Sequence, residues 1–102
     1  MYQLYFYVPE SHLEIVKRAV FQANAGAIGN YDQCCWQTAG QGQFRANQDA
    51  HPHLGTPGDI ELVSEYKVEV ICCAEDIDAV KEALLQSHPY ETPAFGIIKL
   101  AQ

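Results

Sequence analysis

An imidazole, a phenol and a carboxylate fall within four residues in the run Ser87-His88-Pro89-Tyr90-Glu91-Thr92-Pro93. A histidine can move protons or bind a metal near neutral pH. A carboxylate beside it is a natural base or co-ligand, and a tyrosine hydroxyl can donate or accept. The two prolines each lack an N–H, so neither a helix nor a strand ladder passes through the run. The residue before a proline is pushed to extended backbone, which sets His88 at the exit of a helix. A structural role is the favoured reading: a histidine there can bond free helix carbonyls, and Tyr90 can bury its ring and fix the turn. The chemical alternative is a ligand site in which Glu65, from a strand, joins His88 and Glu91, with the same three side chains able to hold a divalent cation.

Other candidates are weaker. His51-Pro52-His53 has a spacing that brings both rings to one side of an extended chain, but no third ligand is near in sequence, so it reads as a surface loop. Gly26-Ala27-Ile28-Gly29-Asn30-Tyr31 looks like a phosphate-binding turn, yet it leaves a helix, whereas phosphate loops feed a helix N-terminus. A helix stop is the better reading, and Tyr31 is kept as a ligand candidate. Glu65 and Glu69 share a strand face with Lys67, which points to ion pairing on a wet surface. The vicinal pairs Cys34-Cys35 and Cys72-Cys73 lack the two-residue spacing of zinc and redox motifs and read as reduced, largely packing residues. No nucleophile, base and orienting group can be named together.

The elements that must position these residues follow from periodicity. Tyr2 to Val8 is an almost unbroken apolar and aromatic run, a strand at a sheet centre or covered on both faces. Ser11-His12-Leu13-Glu14 has the form of a capping box, and Leu13, Val16, Val20 and Phe21 follow at helical spacing up to a stop at Ala25-Gly26. A second strand is expected from Ile28 to Thr38, a hairpin turn at Gly40-Gln41-Gly42, a return strand over Gln43 to Arg45, and a loop from Ala46 to Asp59. From Glu61 to Cys73 apolar and charged residues alternate, the pattern of a strand with one wet face. A helix then runs from a cap at Asp76, with Ile77, Val80 and Leu84 inward, and Ala94 to Leu100 forms the last strand. The order β-α-β-β-α-β predicts an α+β, ferredoxin-like sandwich: a mainly antiparallel sheet with two helices on one face.

Composition narrows the partners. The 102 residues suffice for one core, and 13 acidic against 6 basic residues give a formal charge of −7. Nucleic acids and anionic membranes both recruit basic residues, so neither is expected as a partner. No apolar run reaches the ~18 residues of a membrane span, and the first residues read as a strand and not as a signal peptide, so a cytoplasmic location is expected. The sheet's second face has no cover within the chain, while six tyrosines and four phenylalanines need placing. Such a face is commonly hidden by a further copy, so a homo-oligomer is expected.

Several separated motifs then agree with one family. Val8-Pro9-Glu10-Ser11-His12, Gly26-Ala27-Ile28-Gly29-Asn30-Tyr31-Asp32, Gly40-Gln41-Gly42-Gln43-Phe44-Arg45, Gly55-Thr56-Pro57-Gly58, Glu65 and His88-Pro89-Tyr90-Glu91-Thr92-Pro93-Ala94 occur in this order. Together, from Tyr2 to Leu100, they resemble the YqfO-type domain of the NIF-three-like family, a domain inserted in longer members and also found alone. The resemblance implies a fold similar to PII and CutA-like proteins, whose members assemble through their sheets, commonly as trimers. The two-metal centre of the longer members lies on a separate core and does not carry over. The expected function is a non-enzymatic, homo-oligomeric PII/CutA-like module, trimer or dimer, that binds a small ligand or a protein partner. Its candidate ligand residues are His88, Tyr90, Glu91, Glu65 and Tyr31, with no established cofactor. A divalent-metal protein using His88, Glu65 and Glu91 is the alternative, and a hydrolase with His88 as base stands behind it.

Overall fold

The computed structural model describes residues 1–101. Its elements are β1 (Tyr2–Pro9), a 3₁₀ turn (Glu10–His12), α1 (Leu13–Gln22), β2 (Trp36–Arg45), β3 (Ile60–Cys72), α2 (Ile77–Ser87) and β4 (Phe95–Lys99). The sheet order is β2-β3-β1-β4, and every neighbouring pair is antiparallel. This is the ferredoxin-like arrangement expected from the element order.

Alternation along the two central strands builds the core. Leu4, Phe6 and Val8 of β1 are fully buried, and Leu4 and Phe6 stand opposite Val70 and Val68 of β3. Val16 and Val20 of α1 and Val80 and Leu84 of α2 close over them from one side. Burying each such side chain contributes about 1.5–3 kcal/mol, enough to fix which face of β1 meets the helices.

Among the described residues, no helix covers the opposite face. Tyr5 and Tyr7 stand there beside Glu65, Lys67 and Glu69, because β1 pairs Tyr5 with Glu69 and Tyr7 with Lys67. The Lys67 ammonium lies 5.3 Å from the Tyr5 ring centroid, and Trp36 of β2 is 68% exposed. Ile60 and Leu62 of β3 are also exposed, so the β2–β3 ribbon projects past the helices and lengthens the molecule to 46 Å. Among the described residues no helix is long and apolar enough to cross a membrane.

Local chemistry departs from expectation in three places. The capping box does not form: Ser11 Oγ bonds His12 Nδ1 at 2.9 Å, and the cap of α1 is His12 with no side-chain bond. Ser11, which the box would need as cap, lies inside the 3₁₀ turn. Residues 28–35 are not a strand, and Gly40-Gln41-Gly42 is not a turn; one continuous strand runs from Trp36 to Arg45. Asn24, Gly26, Gly29 and Gln33 all have positive φ, which breaks any extended run before Trp36. The connection that makes β2 and β3 a hairpin is instead the loop over residues 46–59, which was expected as a loop.

Candidate functional site

The His88 corner is assembled from α2, β1 and the turn that follows. Ser87 Oγ donates to the Ala83 carbonyl at 2.8 Å, and the His88 N–H donates to Leu84 O at 3.0 Å, closing α2. His88 is extended (φ −74°, ψ 137°), as the following proline requires. Its ring turns inward to 7% exposure, with Nε2 2.7 Å from the Tyr7 carbonyl oxygen. The Tyr90 N–H donates to Nδ1 at 3.1 Å. A carbonyl can only accept and an N–H can only donate, so the ring is neutral with its proton on Nε2. Burial pushes the imidazole below its ordinary value; the Tyr7 bond opposes this, and the nearby His12 and His53 reinforce it.

Tyr90 sits at the centre of a ring cluster. Its ring centroid is 5.0 Å from His88, 5.9 Å from Phe44 and 6.4 Å from His53, and His53 is 5.4 Å from His12. The Tyr90 hydroxyl is buried without a hydrogen bond. Burial and the neighbouring Glu65 carboxylate push the phenol above its ordinary range. The carboxylate acts first through its charge and then through its closeness to the hydroxyl, which falls short of ordinary hydrogen-bond geometry. Glu65 lies across Gly42, where any side chain would run into its carboxylate. Glu91 faces outward and accepts the His51 N–H at 3.1 Å, pinning the 46–59 loop.

The predicted residues are therefore only partly brought together. His88, Tyr90 and Glu65 share one neighbourhood, with Glu91 at its rim. The His88 nitrogens are both committed to backbone groups, and His88, Glu65 and Glu91 do not converge on one point. Among the described residues, the convergent trio of donors is Cys73, Glu75 and Asp76 at the start of α2. Tyr31 is elsewhere, 76% exposed in the connection before β2. That connection attaches at Ile71 through the Gly26 N–H, near the Tyr2 end of β1. Five residues of strand separate that end from Tyr7, about 17 Å.

Two features escaped the sequence reading. Gly40 and Gly42 face Glu65 and Val63 across the ladder, leaving the open sheet face bare of side chains at these two positions of β2. They floor a cleft of about 450 Å³ walled by Tyr7, Thr38, Glu65, Lys67 and Glu69. A wider, polar cleft of about 650 Å³ lies between α1 and the connection at residues 24–35, away from the corner. The second feature is the gathering of His12, His53 and Phe44 around Tyr90. The one available signal was glycine at alternate positions of a strand, which marks a close approach and not a turn.

No protein-family model matches the chain. A Mycobacterium tuberculosis protein named GTP cyclohydrolase 1 type 2 homolog is 47% identical over 94 residues, covering 92% of this chain and 25% of that protein. A Bacillus subtilis protein of the same name is 37% identical over 100 residues, covering 98% of this chain and 27% of that protein. The chain thus spans about a quarter of the length of the curated relatives it matches. Among solved structures, a Bacillus cereus protein related to NIF3 superposes with a TM-score of 0.83 at 32% identity, over 99% of this chain and 26% of that one. The periplasmic divalent cation tolerance protein CutA of Archaeoglobus fulgidus superposes with a TM-score of 0.69 at 18% identity, over 100% of this chain and 86% of its own, which establishes likeness of fold. The chain is a YqfO-type domain of the NIF-three-like family, built on the PII/CutA-like fold.

Proposed function

We propose that the chain is a non-catalytic, homo-oligomeric binding module whose open sheet face packs against further copies and holds a small polar ligand in the cleft floored by Gly40 and Gly42. The observation that carries this reading is the cleft itself: a 450 Å³ depression walled by two carboxylates, an ammonium and two hydroxyls. Pockets of this size with a few convergent polar groups are the usual form of small-molecule sites. A second copy packed on this face would close the cleft. Exposed Trp36 and Tyr7 flank it, and burial of aromatic surface is the common driving force of such interfaces. His88 supports the site from beneath, because it ties α2 to the strand that carries Tyr7.

Native mass spectrometry of the purified chain tests the reading. An oligomer that retains a small-molecule mass, lost in Gly42→Val, supports it. A monomer, or an oligomer whose adduct survives Gly42→Val, contradicts it.

A further inference from the structure

All four histidines of the chain, His12, His51, His53 and His88, lie at one end of the molecule, although they come from three separate segments. Between them they hold the 46–59 loop. Within the loop the backbone bonds are local: Ala50 to Asn47, Gly58 to Ala46, Asp59 to Thr56. Its hold on the rest of the chain is the His51 N–H on Glu91 and the ring of His53 set against His12 and Tyr90. The Tyr90 turn in turn rests on its N–H bond to His88.

We infer that this corner is a proton-operated latch: with the His88 ring neutral the Tyr90 turn keeps the loop docked, and a proton on His88 Nδ1 releases it. The geometry dictates the sign. A charged imidazole is a donor at both nitrogens, so a proton on His88 Nδ1 would face the Tyr90 N–H, donor against donor. Once the Tyr90 turn moves, the His53 ring loses its contact with Tyr90, and Glu91, next in the chain, is carried away from the His51 N–H. The charges that reach His88 come from His12 on the 3₁₀ turn and His53 on the loop, both of which oppose a further cation. The remaining groups packed on it, the Tyr7 carbonyl of β1 and the Tyr90 ring and N–H of the turn, carry no charge that would compensate fully. Glu65 on β3 faces the Tyr90 hydroxyl, and Glu91 on the turn is engaged by the His51 N–H. Release would open the crevice of about 140 Å³ between Phe44, Ala50, Pro52, His53 and Tyr90. The latch does not depend on the oligomeric reading above.

Amide hydrogen exchange followed by NMR on the full chain, from pH 7.5 to 5.0 with intrinsic rates corrected, tests it. The His51 and Tyr90 amides should lose protection at least tenfold as pH falls, while Leu4 and Val68 keep theirs. His88→Asn, which gains no charge over this range, should flatten the responses of both His51 and Tyr90. Glu91→Gln should keep the Tyr90 step, which separates imidazole control from carboxylate control. Loop amides already unprotected at pH 7.5, a response parallel to the core, or a Tyr90 step abolished by Glu91→Gln would each overturn the latch.

Discussion

The ring of His88 and the carbonyl of Tyr7, 81 residues apart in sequence, meet at 2.7 Å and fasten the end of α2 to the central strand. This bond explains why a histidine stands where an apolar residue would otherwise be buried. It also makes the corner's integrity depend on the neutral imidazole.

Replacing His88 by Ala leaves the Tyr7 carbonyl and the Tyr90 N–H without their partner. Each unsatisfied buried group costs about 1–3 kcal/mol. Urea unfolding should show a loss of that order, smaller for His88→Asn if its amide reaches Tyr7. A loss within about 0.5 kcal/mol, the range of an ordinary surface change, would contradict the bond's role.

The pH dependence follows from the direction of the same group's shift. His88 has a folded-state pKa below its ordinary 6.5, so between the two values the unfolded chain binds more protons. Its contribution is complete above the unfolded value and is lost as pH falls through the folded one. Denaturant midpoints should therefore drop from pH 7.5 to pH 5, and the drop should shrink in His88→Asn. Equal slopes in the two proteins would remove His88 as the cause.

Gly40 and Gly42 should respond differently to alanine. A methyl group at 40 meets nothing within 4 Å, whereas at 42 it runs into the Glu65 carboxylate. Gly40→Ala should be neutral or slightly stabilising, because it restricts the unfolded chain. Gly42→Ala should swing the flexible end of Glu65 aside at little cost in stability, and the Tyr90 phenol should then titrate lower by NMR. An unmoved Tyr90 titration would mean that Glu65 does not act on it.

The cysteines should separate by reactivity. Burial and, next, Asp76 push the Cys72 thiol up to about 11, while Cys34, Cys35 and Cys73 are partly exposed and free. The thiolate is the reactive form. With iodoacetamide near pH 8, peptide mapping should find Cys72 modified last. Cys72 labelled as fast as Cys35 would contradict its placement.

Much of this fold was readable from residue order because its core depends on simple periodicities. The alternation through Tyr66, Val68 and Val70 gave β3 its wet and dry faces, and Val16, Val20, Val80 and Leu84 gave the helices theirs. β2 was misread because glycines at 40 and 42 ordinarily punctuate a chain, whereas here both lie within a strand and Gly42 makes room for Glu65. The capping box failed for a different reason: Ser11 and Glu14 match the pattern, but Ser11 lies in a 3₁₀ turn and Glu14 is paired with Lys17. At the corner, His88, Tyr90 and Glu91 were visible as a cluster in sequence. Their partners were not, since Tyr7, Glu65, His12 and His53 arrive from distant segments through strand register and a docked loop. The connection that carries Tyr31 is attached near Ile71, toward the other end of the sheet, a separation that no local pattern encodes.

Sedimentation velocity of the wild-type chain beside Trp36→Asp tests most directly whether the open sheet face is an interface. The account predicts a homo-oligomer for the wild type and a folded, smaller species for the variant. A wild-type monomer, or an oligomer indifferent to a charge at position 36, would contradict it.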